Sequence, residues 1–234
     1  MKTIAAIVGA LLLAAAVYTA QAGAGSSGGV CAVYHPQVPS ASHFSKTIDN
    51  PYFPLPVGRT FLYRGAENGK REIDRMHVTA RTKTIAGIAA TVVSDNVYEP
   101  PPKLLEKTFD YYAQDDRGNV WYLGEDTKEL LRGGKVDRSG SWLTGRDGAK
   151  PGLIMEAHPR VPDSYRQECL SGAAEDLAWV VGRGGSKHLL RTLEFSPLEP
   201  SIVERKVYKP RVGVVSEQQL SGGHETLSLM RVTG

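Results

Sequence analysis

The run Ile73-Asp-Arg-Met-His-Val-Thr-Ala80 decides the fold. Asp74, Met76, Val78 and Ala80 alternate with Ile73, Arg75, His77 and Thr79, a period of two that belongs to a strand with one face turned inward. Working outward, Arg59-Thr-Phe-Leu-Tyr-Arg64 predicts the preceding strand, with residues 65–69 as the connecting hairpin loop. Residues 91–98, 104–114, 119–123, 165–169, 188–195, 202–208, 212–220 and 226–232 predict further strands, rich in Val, Thr, Tyr and Phe and divided by Gly or Pro turns. Most connections suit hairpins, and there are too few helical segments for parallel crossovers. The expected architecture is mainly β: one antiparallel meander over residues 59–234, curled into a barrel or strongly curved sheet, with at most a short helix. Residues 173–181 read as that helix or as one more strand.

Upstream, Pro36, Pro39, Pro51, Pro54 and Pro56 fix φ and remove donors, which predicts an extended lead-in lying on the domain. Before it runs the flexible Gly23-Ala-Gly-Ser-Ser-Gly-Gly29. Residues 1–22 carry the marks of a secretory signal peptide: a basic start at Lys2, an apolar run from Ile4 to Val17, and Ala20-Gln-Ala22 at the cleavage point. The apolar run is shorter than the ~20 residues a spanning helix needs, and no later stretch replaces it. The first cysteine stands well beyond that cut, which argues against a lipid anchor there. The expectation is a cleaved chain in the periplasm or outside the cell, with no integral membrane segment.

The formal net charge is +3, from 28 basic and 25 acidic residues without a basic block, so a nucleic-acid partner is not expected. Cys31 and Cys169 allow a single intramolecular disulfide in an oxidising compartment. Closing so long a loop is worth about 4–5 kcal/mol in the loop-entropy model. Two distant cysteines do not make a metal site. No histidine pair has zincin spacing, and no nucleophile elbow, P-loop or dinucleotide fingerprint occurs, so neither metal nor cofactor is expected. Residues 132–162, dense in Gly and Pro, read as a long loop anchored by Trp142, Leu153, Ile154 and Met155, serving as a lid or idle on the surface.

The hairpin Asp110-Tyr-Tyr-Ala-Gln-Asp-Asp-Arg-Gly-Asn-Val-Trp-Tyr-Leu-Gly-Glu-Asp126 concentrates the chemistry. A two-residue loop at Arg117-Gly118 sets Asp110 opposite Glu125, and two carboxyls side by side raise one pKa. A three-residue loop at Asp116-Arg-Gly118, with Gly118 left-handed, suits the turn chemistry better and sets Asp110 opposite Gly124. The preferred register therefore removes the pair. The aromatics Tyr112, Trp121, Trp142 and Tyr165 can line a cavity for an apolar ligand, or simply fill the core.

Six stretches resemble an uncharacterised family of exported bacterial proteins: Asn50-Pro-Tyr-Phe-Pro-Leu-Pro-Val-Gly58; Asp110-Tyr-Tyr-Ala-Gln-Asp with Trp121-Tyr-Leu-Gly-Glu-Asp-Thr127; Gly140-Ser-Trp142; Asp147-Gly-Ala-Lys-Pro-Gly-Leu-Ile-Met155; Asp163-Ser-Tyr-Arg-Gln-Glu168; and Pro197-Leu-Glu-Pro200. The chain departs from that pattern at Glu156 and Cys169, where the family has Pro and Tyr. The resemblance implies a single exported domain and carries no activity. The leading expectation is a non-enzymatic envelope or secreted binding protein for a small or amphipathic ligand. The alternatives are a hydrolase or lyase using Asp110, Glu125, Asp126 or Glu168, and a structural or interaction module.

Overall fold

The computed structural model describes residues 36–45 and 47–234 and holds fifteen strands among them, and the alternation expected from Ile73 to Val78 is present, with Asp74, Met76 and Val78 buried and Arg75 exposed. The strands are β1 (Phe44–Ser45), β2 (Thr60–Glu67), β3 (Lys70–Ile85), β4 (Ile88–Glu99), β5 (Lys103–Asp115), β6 (Val120–Leu130), β7 (Val136–Asp137) and β8 (Trp142–Leu143). They continue with β9 (Gly152–Met155), β10 (Ser164–Arg166), β11 (Leu177–Gly184), β12 (Leu189–Phe195), β13 (Val203–Lys209), β14 (Gly213–Ser221) and β15 (Thr226–Thr233). All pair antiparallel in one sheet, in the order β10 to β15, then β2 to β7. β15 lies against β2, so the C-terminal strand joins the two halves of the meander. The sheet is not closed. An isolated antiparallel bridge between Lys150 and Cys169 spans the seam between the β9 segment and the residues after β10. At that seam Gly152 approaches the backbone of Gln167 so closely that an added Cβ would sit on its carbonyl oxygen.

The mainly β architecture agrees with the sequence. Among the described residues there is no α-helix, and the ambiguous residues 173–181 feed strand β11. The expected loop at 65–69 is shorter than the sequence reading placed it. β2 continues to Glu67, which pairs with Lys70, leaving the two-residue turn Asn68-Gly69. Asn-Gly is the strongest two-residue hairpin signal, because both residues tolerate positive φ. Residues 132–162 are not one irregular loop, since β7, β8 and β9 all pair with β6. Trp142, Leu153, Ile154 and Met155 are buried as the anchors of that segment.

The Pro-rich lead-in is pinned by its own polar atoms. Gln114 Oε1 accepts from the backbone N–H of Asp49 (3.0 Å) and of Asn50 (2.8 Å). The Asn50 amide donates to Gly118 O (2.8 Å) and Glu156 O (3.0 Å), while its Oδ1 accepts from Tyr52 N and Phe53 N. Ile48, Tyr52, Phe53 and Leu55 are thereby delivered into the core. The leader at residues 1–22, residues 23–35, and with them Cys31 of the expected disulfide, lie outside the described residues; Cys169 is fully buried.

The buried face is divided along the strands. Toward the end that receives the lead-in it carries Phe61, Tyr63, Met76, Val78, Tyr112, Leu190, Tyr208 and Val214. Toward the other end the same strands bury Glu72, Asp74, Asp95, Glu106, Asp110, Glu125, Glu194, Glu204 and Glu217. Such a division is unusual, because a carboxylate is almost never fully buried unless it is paired.

Candidate functional site

Both hairpin registers occur in the same hairpin. Next to the loop the three-residue geometry holds: Asp115 N–H donates to Asn119 O, Gly118 has φ +91°, and Gln114 pairs with Val120. Farther along, Tyr112 still pairs with Tyr122, but Asp110 pairs with Glu125. The switch is a β-bulge in which Leu123 and Gly124 of β6 oppose Tyr111 of β5. Gly124 is required there twice over. Its φ is +130°, and an added Cβ would stand 2.3 Å from the carbonyl oxygen of Trp142 on β8. The expected three-residue loop is present, and its expected consequence, loss of the carboxyl pair, is overturned by the bulge.

Asp110 and Glu125 therefore face each other on the buried side. Asp110 Oδ1 accepts from Tyr122 Oη at 2.7 Å. Its Oδ2 and both oxygens of Glu125 have no hydrogen-bond partner among the described residues. Burial, then the charge of Asp95, pushes the Asp110 carboxyl well above its ordinary range. Burial and the neighbours Glu168 and Asp110 do the same for Glu125. Glu168 joins this group, raised by burial and by Asp176. Asp126 does not: it points outward and meets Arg138 at 3.0 Å.

Two of the four aromatic candidates, Tyr112 and Trp142, meet through Tyr122. The rings of Tyr112 and Tyr122 stack at 4.7 Å, and Trp142 stands edge-on to Tyr122 at 5.3 Å. Each such pair adds about 0.5–1.5 kcal/mol beyond its area. Trp121 Nε1 donates to Asp115 Oδ2 at 2.9 Å, and Tyr165 Oη lies 3.9 Å from Met155 Sδ. These residues are buried core side chains.

The sequence reading missed most of the acidic group. The carboxyls of Asp74 and Asp95 meet each other, a contact that becomes a hydrogen bond when one carries a proton. Glu106 Oε1 accepts from Thr108 (2.8 Å) and Thr127 (3.3 Å), and burial lifts its pKa to about 8. On the opposite strands a single buried lysine serves several acids. Lys206 Nζ lies 2.8 Å from Glu194 and 3.5 Å from Glu217. Burial pulls its pKa down, but Glu194 and Glu217 outweigh that and hold it well above the ordinary lysine value. Tyr208 and Thr192 both donate to Glu194 Oε1. One signal was visible in advance: Asp74 shares its strand face with Met76 and Val78, where an exposed acid does not belong.

The acidic end opens into a cleft of about 380 Å³ between the β2–β3 turn, the β4–β5 turn and the end of β6. Leu105, Leu130 and Leu131 give it apolar wall, Lys70, Lys103, Arg132 and Lys135 stand in its lining, and Glu72 is its buried acid. Glu72 Oε2 has no hydrogen-bond partner among the described residues. Burial, with the charges of Glu67 and Glu99, raises the Glu72 pKa to about 7, partly offset by Lys70. Among the described residues no group of three or more His, Cys, Asp or Glu side chains is arranged to hold a metal ion.

No protein-family model matches the chain, and no curated protein matches it. Two solved structures are similar in part. One is an exported-protein candidate with a YmcC-like fold from Bacteroides fragilis, 13% identical over 79% of this chain and 100% of that one, with a TM-score of 0.44. The other is a lipoprotein candidate from Parabacteroides distasonis, 9% identical over 79% of this chain and 99% of that one, with a TM-score of 0.42. Neither likeness is strong enough to carry an argument about fold or activity.

Proposed function

We propose that the chain is an exported binding protein whose ligand is a small amphipathic cation, held at the acidic end of the curved sheet. The observation that carries this reading is the cleft itself. It combines leucine wall, suited to a short hydrocarbon, with the unpaired buried carboxyl of Glu72, suited to an ammonium group. Behind Glu72 the strand continues to Asp74, in contact with Asp95. Glu67, Glu99 and Glu129 stand beside Glu72 in the lining and balance its four basic side chains, and a buried carboxylate gains most from a cationic partner placed directly on it. The signal peptide, with cleavage before Gly23, and the resemblance to exported bacterial proteins support the location. In that oxidising setting the buried Cys169 pairs with Cys31, so the unfolded, unreduced protein titrates no thiol.

The test is calorimetry of the purified mature chain with straight-chain primary amines and with alkyl sulfates of the same length. Amine binding that tightens as pH rises through about 7, and that drops on the order of tenfold in Glu72→Gln, is expected. Equal binding of sulfates, or an unchanged Glu72→Gln variant, overturns the reading. Catalysis by Asp110 and Glu125 has no such support, because that pair lies sealed in the core rather than in a cleft.

A further inference from the structure

The burial of acids has an outward counterpart. Among the described residues thirteen acidic side chains are buried against two basic ones, Arg166 and Lys206. The surface is therefore far more basic than the net charge of +3 suggests. The excess is gathered rather than spread. Along β3 the outward positions carry Arg71, Arg75, His77, Arg81 and Lys83, while Glu72, Asp74, Met76 and Val78 point inward. At the strand rise this stripe runs about 40 Å. Neighbouring strands widen it: Arg64 of β2 pairs with Ile73, and the row Arg75–Asn96–Lys107–Lys128 crosses β3, β4, β5 and β6.

Three features mark this face as a docking surface. First, among the described residues none of Arg64, Arg75, Arg81, Lys83, Lys107 and Lys128 belongs to an ion pair; Asp126, the acid nearest in register, is taken by Arg138. Second, Lys107 and Lys128 stand directly opposite each other, a like-charge arrangement that destabilises a sheet unless an anion relieves it. Third, the cationic heads are held in place by aromatic rings. Lys83 Nζ sits 4.0 Å from the Tyr111 ring centre, and Arg81 and Lys107 cover Phe109 at 5.3 and 5.1 Å. Held heads lose less freedom on binding.

We propose that this β3-centred face docks the protein onto an anionic lipid surface. Charge complementarity selects an anionic partner, and the spacing selects lipid over a linear polyanion. Ile73 and Thr79 interrupt the stripe, and cross-strand cations stand only one or two strand widths away, so no single charge repeat matches them. Lipid headgroups are laterally mobile and gather under whatever spacing the protein offers. The half-buried side chains of Leu62, Ile73 and Tyr98 fill the gaps between cations with the apolar or amphipathic groups favoured at a bilayer interface.

The experiment is flotation of the mature protein with vesicles of phosphatidylcholine alone and of phosphatidylcholine containing about one-third phosphatidylglycerol, at low and high salt. Binding to the anionic vesicles alone, lost at high salt, is expected. The triple variant Arg75→Ser, Arg81→Ser, Lys83→Ser should bind on the order of a hundredfold more weakly, about fivefold for each cation. A control with equal charge loss on another part of the sheet, Arg205→Ser, Lys209→Ser, Arg191→Ser, should keep most of its affinity, and circular dichroism should show both variants folded. Equal binding to neutral vesicles, equal loss in the two variants, or displacement of the vesicles by a soluble polyuronate or nucleic acid overturns the proposal.

Discussion

At the scale of single residues, the buried acids and Lys206 tie stability to pH in opposite ways. Glu106 has a folded pKa of about 8, raised by burial above its unfolded value near 4.5. A carboxyl raised in this way contributes fully below its unfolded pKa, where both states carry the proton. That contribution is lost as pH rises through the folded value. Glu106→Gln keeps the shape and acceptor of the neutral acid and cannot ionise. Its urea midpoint should match the parent at pH 5 and exceed it at pH 9; a variant less stable than the parent at pH 9 contradicts the burial argument. Lys206→Met acts the other way. It removes the cation beside Glu194 and Glu217, and breaking a buried pair from one side costs about 3–5 kcal/mol. The loss should be largest at neutral pH and shrink near pH 5, where Glu217, with a pKa of about 7, takes up a proton. A loss independent of pH would mean that the lysine acts by packing alone.

At the scale of elements, the strands were legible because alternation is a local property, written into runs such as residues 73–80. The loop of the β5–β6 hairpin was legible too, since Gly118 declares its left-handed position. What no local rule shows is the bulge at Leu123-Gly124. It exists because β8 lies across β6 there, and the pairing of Glu125 with Trp142 brings a backbone into the space of a missing Cβ. Register beyond the bulge, and with it the juxtaposition of Asp110 and Glu125, is thus set by a segment that follows in the chain. The aromatic group was identified by type, and of the two placements the sequence left open, cavity wall or core, Tyr112, Trp121, Trp142 and Tyr165 take buried positions in the core. Gly124→Ala should consequently act on an element rather than a residue. Positive φ and the 2.3 Å approach together predict a destabilisation of roughly 2–4 kcal/mol, read by chemical denaturation. Gly118→Ala lacks the close approach, its Cβ meeting only Ala157 at 3.4 Å, and should lose less. If both lose the same amount, the crossing of β8 over Gly124 is not what demands glycine.

At the scale of the whole molecule, one sheet separates charge by side, acids within and cations without, while the net charge stays small. The sequence concealed this, because alternation places an Arg and an Asp side by side in the chain and on opposite faces in the fold. The separation has a global consequence. Glu72 and Glu217 have folded pKa values of about 7, Glu106 of about 8 and Glu225 of about 9, with burial the leading cause in each. All four shifts are upward, so the folded chain binds more protons than the unfolded one between about pH 4.5 and pH 9. Stability must then fall as pH rises across that window, most steeply between about pH 5 and pH 7, where the unfolded carboxyls have lost their protons and all four folded ones still hold theirs, and more gently toward pH 9. Lys206, raised above its ordinary value, stays charged throughout and adds no slope there. Denaturation at pH 5, 7 and 9 should give steadily falling midpoints. An amine bound at Glu72 should lift the pH 9 midpoint most, because it favours the ionised carboxyl that burial disfavours. A midpoint that rises with pH in the ligand-free protein would show that the acidic half of the core is already neutralised by something other than protons.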